Sequence, residues 1–412
     1  MFRIWLYLNF KNFLQSIFHR RRLKFDKFIK KEISKQSNKK FVILFSQCRV
    51  ALFFILKFLK KKSNKNEIIF CAYNLPEMIN IAVNLKFKIK FCDLNYKSGN
   101  INLNELKKKI SNKTTAVVLT NMFNTYLDSK KIRKLTKKHN IILIEDNAIY
   151  FDNYSKLHNK NYYSGSLGDF SIYSFNIMKN ISSFYGGASS TNNEDFDIFF
   201  KKEEKKLKIF LNVHLIKQIS IYLILKLMSI NLIYKNFFFH IIKYSHKFNL
   251  QTILRLIYPS LKKINKKFPN YYFSKISDIA VNATYLQLKN RYKRKELFNL
   301  RKEKHKYYFK KLSSIKNKKL NLIKISDRNY QNFLDFPILV NDKESLNEHL
   351  LNKGIEIRFK HYYNCEKMFN NSKKCVNAEK YERELLCLPA HPKIKFSYID
   401  FIVKNIKNYY SK

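Results

Sequence analysis

The chain has 412 residues, of which 81 are Lys or Arg and 30 are Asp or Glu, so its formal net charge is +51. This length predicts more than one domain, because single cores stop growing near roughly 250 to 300 residues. Hydrophobic residues at 46% exclude a disordered chain. The lysines are spread along the whole sequence, which indicates compositional drift rather than a nucleic-acid surface, and no nucleic-acid partner is expected.

The N-terminal residues 1–40 form a basic segment that begins MFRIWLYLNFKNFLQSIFHRRR. It lacks the uninterrupted apolar core and the small-residue cleavage site of a signal peptide. We therefore predict a basic amphipathic helix at this end of the chain.

The cysteines bear on location and on metal binding. The six of them form no CxxC pair and have no Cys/His spacing of the kind that holds a metal. This pattern favours a reducing cytoplasm over a disulfide framework, and no metal site is expected.

Residues 41–204 alternate short apolar runs with longer amphipathic ones. Strands are predicted at FVILF, EIIFCAY, KIKFCDL, TTAVVLT and NIILIED, and helices at RVALFFILKFL, MINIAVNL, LNELKKKI and KKIRKLTKKH. Alternation of this kind predicts βαβ units and a three-layer α/β/α domain with a mostly parallel sheet. Ligands usually bind at the carboxyl ends of such strands.

Two groups at those strand ends could carry chemistry. NIILIED ends in Asp146, and Lys179 follows in GSLGDFSIYSFNIMKNISSFYGGA, between an alternating run and a Gly-Gly turn. A lysine in a partly buried turn has a lowered pKa and can form a Schiff base with a carbonyl group. Pyridoxal phosphate needs such a lysine and a carboxylate that keeps its ring nitrogen protonated. Ser174 could supply a hydroxyl group to the phosphate.

Residues 205–270 consist almost entirely of Lys, Ile, Leu, Phe, Tyr and Asn. A membrane-spanning helix needs about 20 apolar residues with few charges, and lysines recur here too often for that. Three interpretations stay open: helices packed on the main domain, an amphipathic surface on anionic lipid, and a transmembrane span.

Residues 271–412 begin with one long helical segment, SDIAVNATYLQLKNRYKRKELFNLRKEKHKYYFKKL, and continue into a smaller α/β domain. FPILV is predicted as a strand, SLNEHLLNKGI as a helix, LCLPAHP as a turn and SYIDFIVKNIKNYY as the final helix. The predicted divisions are therefore 1–40, 41–204, 205–270 and 271–412.

The segments from Ser46 to about Asn193, and from Ser277 to the end, resemble the DegT/StrS family of nucleotide-sugar aminotransferases that use pyridoxal phosphate. GSLGDFSIYSFNIMKN followed by GGA resembles the family's lysine segment, and IEDNA resembles its strand-end motif. FSQCRVAL stands where the family has a helix-opening phosphate loop, and SDIAVNATYLQL, FPILV, GIEIRFKHYY and LPAHP follow in the family's order. The resemblance implies the fold-type-I aminotransferase architecture and a homodimer.

The resemblance also assigns the site residues. It implies that Lys179 is the Schiff-base lysine, that Asp146 partners the pyridine nitrogen and that Ser174 binds the phosphate. Backbone N–H groups of Arg49 and Val50 would bind the phosphate at a helix N-terminus.

The implied reaction transfers an amino group, from glutamate, to a keto-sugar on a nucleotide, in the synthesis of surface polysaccharide or glycan precursors. Arg358 and His361, in IEIRFKHYY, are candidate substrate contacts. The alternative interpretation is that both lie at a strand end on the surface of the small domain, without a role in binding. The expected partners are the nucleotide-sugar, the amino-acid donor and a second copy of the chain. The expected location is cytoplasmic, with residues 205–270 as a candidate peripheral membrane contact.

Four positions depart from the family's pattern. Cys48 replaces a phosphate-loop glycine, and Leu75 stands where an aromatic ring stacks on the cofactor. Ile149 replaces Gln or His, and Phe273 replaces an Asn that reaches the partner subunit's phosphate. These departures leave open a cofactor-poor scaffold or binding protein at a membrane surface. A dehydratase of the same fold is disfavoured, because some related dehydratases have His where this chain has Lys179.

Overall fold

A computed structural model describes residues 1–19, 23–122, 126–149, 151, 154–157, 160–257, 268–315, 317–323, 334–370 and 374–411. The strands within these ranges are β1 (Phe41–Phe45), β2 (Glu67–Cys71), β3 (Tyr73–Asn74), β4 (Lys88–Cys92), β5 (Thr114–Thr120), β6 (Ile142–Asp146), β7 (Tyr154–Leu157), β8 (Lys160–Tyr163), β9 (Phe170–Ser174), β10 (Gly187–Thr191), β11 (Leu320–Leu322), β12 (Phe336–Val340), β13 (Tyr363–Asn364) and β14 (Leu385–Leu388).

The helices within the same ranges are α1 (Phe10–Phe18), α2 (Leu23–Ser37), α3 (Cys48–Lys62), α4 (Pro76–Asn84), α5 (Leu103–Lys109), α6 (Tyr126–Lys138), α7 (Glu194–Glu204), α8 (Asn212–Met228), α9 (Asn231–Ile233), α10 (Phe239–Lys247), α11 (Gln251–Ile257), α12 (Asp278–Leu288), α13 (Arg291–Leu312), α14 (Lys343–Asn352), α15 (Cys365–Asn370), α16 (Val376–Glu384) and α17 (Phe396–Tyr410). A π-helical turn, Tyr234–Phe238, joins α9 to α10, and a 3-10 turn, Asn270–Phe273, precedes α12.

The large sheet has seven strands in the order β4-β2-β5-β6-β9-β10-β1. β10 runs antiparallel to both of its neighbours, and the remaining pairs are parallel. Along β9, Phe170 and Ile172 pack in the apolar cluster that contains α3, whereas Tyr173 packs in the cluster that contains α2 and α12. Helices therefore cover both faces, and the predicted three-layer, mostly parallel fold is confirmed.

The C-terminal part of the chain has its own antiparallel sheet in the order β11-β12-β14. Its core joins the sheet to α14 and α17, as the buried side chains of Ile338, Leu346 and Ile402 show. The short strand β13 leaves this part and pairs with β3, which immediately follows β2. This pairing holds the C-terminal part against the edge of the large sheet where the strands end.

The prediction of a helix from the first residue is wrong for residues 1–9. The helix α1 begins at Phe10, because Asn9 caps it by accepting the N–H of Asn12 at 2.8 Å. The preceding residues have the period of two that is typical of an extended chain, not of a helix. Their buried apolar side chains are Phe2, Ile4, Leu6 and Leu8.

The long helical segment predicted after Ser277 is two helices, α12 and α13. They are separated at Lys289 and Asn290. The side chain of Asn290 accepts the N–H of Lys293 at 3.0 Å and caps the second helix. An asparagine in this position favours a helix start, which explains why one apolar pattern yields two helices.

Helices α8 to α11 pack against the N-terminal segment. Tyr222 of α8 stacks on Phe13 with ring centroids 4.5 Å apart. Tyr234 donates a hydrogen bond to Glu356, at 2.7 Å, and Glu356 also forms a buried ion pair with Arg3. The helices predicted in this part of the chain are therefore anchored to both its beginning and its C-terminal part.

Candidate active site

A cavity of about 250 Å³ lies where β6 and β9 end. The residues predicted to carry chemistry that line this cavity are Arg49, Asp146, Ser174, Lys179, Arg358 and His361. Val50 is buried and does not line the cavity, and its N–H donates to the carbonyl oxygen of Gln47 at 3.1 Å. The N–H of Val50, which was predicted to bind a phosphate, therefore donates to a backbone carbonyl group instead.

The two carboxylates at the end of β6 have different roles, because neighbouring side chains of a strand point to opposite faces. Glu145 accepts the backbone N–H of Gly168 at 2.6 Å and so holds the turn before β9. Asp146 borders the cavity and accepts the N–H of Ala148 at 3.0 Å. Burial raises the pKa of Asp146 to about 6, while that N–H and the amine of Lys179 act in the opposite direction.

Lys179 lies in the loop that joins β9 to β10. Its N–H donates to the carbonyl oxygen of Asn176 at 2.9 Å, and its own carbonyl oxygen accepts from Ser182 at 2.8 Å. The side chain of Gln287 on α12 accepts the N–H of Ser182 at 3.0 Å and donates to its carbonyl oxygen at 2.6 Å. Gln287 therefore anchors the loop that carries the lysine.

Lys179 is half-buried, and desolvation of its amine lowers its pKa to about 8. The guanidinium group of Arg358 lowers this pKa further, whereas Asp146 raises it. A neutral amine is the nucleophilic form, so the cavity increases the reactive fraction of this lysine near neutral pH.

The two adjacent glycines after the lysine are needed for different reasons, one for its backbone conformation and the other for a close backbone contact. Gly186 has φ +151°, which side chains rarely adopt. At Gly187 a Cβ atom would lie 2.4 Å from the backbone nitrogen of Cys48. The strand that follows the lysine therefore contacts the start of α3 backbone to backbone.

The start of α3 forms the other side of this backbone contact and also borders the cavity. Gln47, Cys48 and Arg49 all border the cavity. The N-terminus of a helix carries partial positive charge and unpaired N–H groups, which suit a phosphate. The guanidinium group of Arg49 lies 3.8 Å from the carboxylate of Glu77, so this residue adds a partly paired positive charge to the cavity.

Arg358 and His361 line the cavity from the C-terminal part of the chain. Arg358 forms an ion pair with Asp335 at 2.8 Å. Burial, and then the positive charges of Arg358 and Lys179, hold the pKa of His361 well below its usual range. His361 is therefore a neutral imidazole, and its ring stacks near that of Tyr73.

Sequence reasoning did not identify several cavity residues. Tyr185 has φ 60°, which is rare outside glycine, and it lies directly before the two glycines. Tyr362 donates its N–H to the hydroxyl oxygen of Tyr73 at 3.1 Å. Gln218 and Ile221 come from α8, which no sequence pattern connected to the site. The position of Tyr185 beside a glycine pair was the one available signal.

The four departures from the family's pattern fall in two places. Cys48, Leu75 and Ile149 line the cavity, where they place a thiol and two aliphatic side chains. Phe273 is 37% exposed and packs edge-on against Phe53 of α3, outside the cavity lining. Three of the four departures therefore lie at the same cavity as Lys179 and Asp146.

The donor set fits pyridoxal phosphate. A half-buried amine and a buried carboxylate border one cavity, and desolvation of both charged groups is costly unless a ligand pairs with them. The start of α3 and Ser174 border the same cavity and suit a phosphate group.

Known proteins share this sequence pattern and fold. The chain is 33% identical over 104 residues to GDP-perosamine synthase of Escherichia coli O157:H7, covering 25% of this chain and 28% of that protein. It is 24% identical to the Campylobacter jejuni UDP-4-amino-4,6-dideoxy-N-acetyl-beta-L-altrosamine transaminase, covering 78% and 73% of the two chains. The structure of Helicobacter pylori PseC, an aminotransferase of pseudaminic acid biosynthesis, superposes with TM-score 0.70 at 18% identity, covering 97% and 95%. The chain spans less than half the length of three of its curated relatives.

A family profile matches most of the chain and decides the assignment. It covers residues 9–203 and 266–407 and leaves 204–265 between its two parts. The sequence resemblance and the predicted cofactor are thereby confirmed. The protein belongs to the DegT/DnrJ/EryC1/StrS aminotransferase family, whose cofactor is pyridoxal phosphate.

Proposed function

We propose that this protein transfers an amino group from an amino acid, glutamate, to a keto-sugar carried on a nucleotide. The observation that carries the proposal is that a half-buried amine, Lys179, and a buried carboxylate, Asp146, border one cavity where the parallel strands end. Pyridoxal phosphate, when bound there, supplies an electron sink that stabilises negative charge on the carbon next to the amino group.

Lys179 would act both as the amine that holds the cofactor and as the group that carries a proton. Its loop is fixed at Asn176 and at Ser182, so the amine is held at the cavity. A pKa of about 8 lets the amine accept and release a proton near neutral pH. Proton transfer by one positioned amine is the chemistry that amino-group exchange requires.

Asp146 would act as the carboxylate that keeps the ring nitrogen of the cofactor protonated. Its pKa of about 6 leaves it mostly ionised at neutral pH, despite burial. The N–H of Ala148 holds one carboxylate oxygen and fixes its direction. A positive group brought against it would favour the ionised form further.

A nucleotide-linked substrate is supported by charge and by the relatives. The names of two relatives specify GDP- and UDP-linked sugars. Arg358 and Lys360 border the cavity, and an arginine in one ion pair still has further N–H donors for a phosphate or carboxylate. We assign Arg358 and His361 to substrate contact on this basis, and we place the reaction in the synthesis of surface glycan precursors.

The first experiment tests the cofactor. Purified protein titrated with pyridoxal phosphate should develop a visible absorption band, and borohydride should then fix the cofactor to the peptide that contains Lys179. Lys179→Met should abolish both signals. Lys360→Met, which removes another lysine of the same cavity, should retain them. No band in the wild type at saturating cofactor would instead support the cofactor-poor scaffold.

The second experiment tests the reaction. Glutamate and a panel of GDP- and UDP-linked keto-sugars are incubated with the loaded protein, and 2-oxoglutarate and the amino-sugar are measured by chromatography. We expect both products in equal amounts, with none from Lys179→Met. A protein that binds the cofactor but converts no member of the panel would contradict the proposed substrate class and leave the cofactor site intact.

A further inference from the structure

Helix α8 exposes an apolar face. Val213 is 66% exposed, Ile216 62% and Ile224 51%, although each is a large aliphatic residue. These residues recur with helical spacing and so share one side of the helix. We call this the α8 face, and its exposed residues are Val213, Ile216, Lys217, Ser220, Leu223, Ile224 and Leu227.

Further exposed apolar residues follow α8 along the chain. Leu232 in α9 is 72% exposed, Phe237 in the π-helical turn 58%, and Phe248 after α10 61%. Isolated exposed hydrophobic residues are normal, but this many on consecutive elements favour an interaction site.

The charged residues of this segment itself have one sign, although Glu344 and Glu348 of α14 line a cavity together with Lys247. The sequence contains no Asp or Glu between Glu204 and Asp278, while lysines recur throughout that span. Lys217, Lys235 and Lys247 are exposed on the same helices and turns as the apolar residues. The surface therefore requires a partner that accepts both aliphatic side chains and positive charge.

An anionic lipid bilayer meets both requirements. Apolar side chains enter the acyl boundary, while lysines reach the headgroups and meet negative charge. A nucleic acid would pair the lysines but leave the aliphatic side chains in water. A second copy bound through the same segment would oppose lysines to lysines, because the segment contains no acid to pair with them.

The helices suit the surface of a bilayer better than its interior. No single helix in the described part of the chain is long and apolar enough to cross a membrane. Two consecutive segments, Asn212–Met228 and Asn231–Lys247, are together long and apolar enough to span a membrane, but they meet at an angle of 85°. Two short helices at a right angle can lie side by side in one plane, as surface-bound helices do.

We propose that the α8 face and the turns that follow it bind the surface of a bilayer that contains anionic lipids. The opposite side of α8 lines the cavity through Gln218 and Ile221. Bound protein would therefore hold one wall of the cavity within about one helix diameter, ~10 Å, of the bilayer. This proposal does not depend on the reaction proposed above, because lipid binding needs no cofactor.

The test uses a fluorescent reporter on the α8 face. All six native cysteines are buried and free, so Leu223→Cys offers an exposed thiol for an environment-sensitive dye. Ile198→Cys on α7, where Ile198 is 48% exposed, is the matched control. Vesicles of phosphatidylcholine with phosphatidylglycerol should shift the emission of the first variant to the blue and leave the control unchanged. Vesicles of phosphatidylcholine alone should shift neither.

Co-sedimentation with the same vesicles measures the strength of binding. Replacing Lys217, Lys235 and Lys247 together with Gln should lower the partition coefficient on the order of a hundredfold, and salt should do the same to the wild type. Ile216→Ser with Leu223→Ser should lower it at least about tenfold. Circular dichroism and thermal unfolding establish that these exposed changes leave the fold intact.

Two results would overturn the proposal. One is that the wild type fails to sediment with anionic vesicles. The other is that it self-associates without vesicles, in light scattering, and that the double serine variant dissociates it, which would assign the α8 face to a second copy.

Discussion

Helices α3 and α8 are both rich in large apolar residues, and both line the same cavity, yet they lie in different environments. α3 buries nearly every side chain from Cys48 to Leu59, and its lysines are concentrated at its C-terminal end. α8 has lysines in its middle as well as near its end, and it buries only one narrow side. Apolar composition thus predicts that a helix forms, whereas the positions of its charges indicate whether both of its sides can enter a core.

The largest expected effect is on the free energy of unfolding, when an isoleucine is replaced by alanine in each of the two helices. Ile55→Ala in α3, at a fully buried side chain, should lower the free energy of unfolding by about 2 to 5 kcal/mol, because it leaves a cavity. Ile224→Ala on the α8 face should change it by no more than about 0.5 kcal/mol. Denaturant titrations give both values. Equal losses would mean that the α8 face is covered in the protein as it exists in solution.

The contact between α3 and the lysine strand should give the next largest effect. Gly187→Ala places a methyl group against the backbone of Cys48 and should cost about 1 to 3 kcal/mol, with weaker cofactor binding because the start of α3 must move. Gly354→Ala is the control, since its surroundings are open and only its φ of +76° is strained, at about 1 kcal/mol. Loss of cofactor affinity in the control as well would argue against a specific role for the contact.

Positive charge at the start of α3 should have a smaller effect, on cofactor affinity. Arg49→Gln removes a charge at the cavity and should raise the dissociation constant of pyridoxal phosphate about tenfold. Lys217→Gln on the α8 face should leave that constant unchanged. Absorbance titration measures both variants. An unchanged affinity in Arg49→Gln would show that backbone groups alone hold the phosphate.

The smallest expected effect is on the pH dependence of cofactor capture by Lys179. The neutral amine of Lys179 captures the cofactor, so the rate of capture should rise with pH around a midpoint near 8. At pH 7 about a tenth of the amine is neutral, given that pKa. Arg358→Gln removes a positive charge that lowers this pKa, so the midpoint should move to higher pH. A midpoint that stays in place would show that burial alone sets the reactivity of the lysine.

Local chemistry explains how much the sequence could predict. Strands β1, β2, β4, β5 and β6 and the helices between them, together with Asp146 and Lys179, follow from apolar periodicity and from the position of polar residues at strand ends, whereas β9 and β10 were not predicted as strands. The family's motifs identified Ser174 and Arg49 at the same cavity. These features are local in the chain, which is why they could be read from it.

The remaining features depend on contacts between distant residues. Gln287 lies more than a hundred residues from the loop that it anchors, and Gln218 reaches the cavity from a segment without a motif. The N-terminal residues 1–9 were assigned to a helix because their composition suits one, although their period of two indicates an extended chain. The domain boundaries at residues 40, 204 and 270 stay a prediction.

The backbone contact between Gly187 and Cys48 has a consequence for how the protein moves. The lysine loop, the start of α3 and α12 are fixed to one another by this contact and by the hydrogen bonds of Gln287. We therefore expect these elements to move as one unit. Opening and closing of the cavity during a reaction cycle would then come from the C-terminal part of the chain, where the ion pair of Arg358 with Asp335 is a contact that a substrate could break and remake.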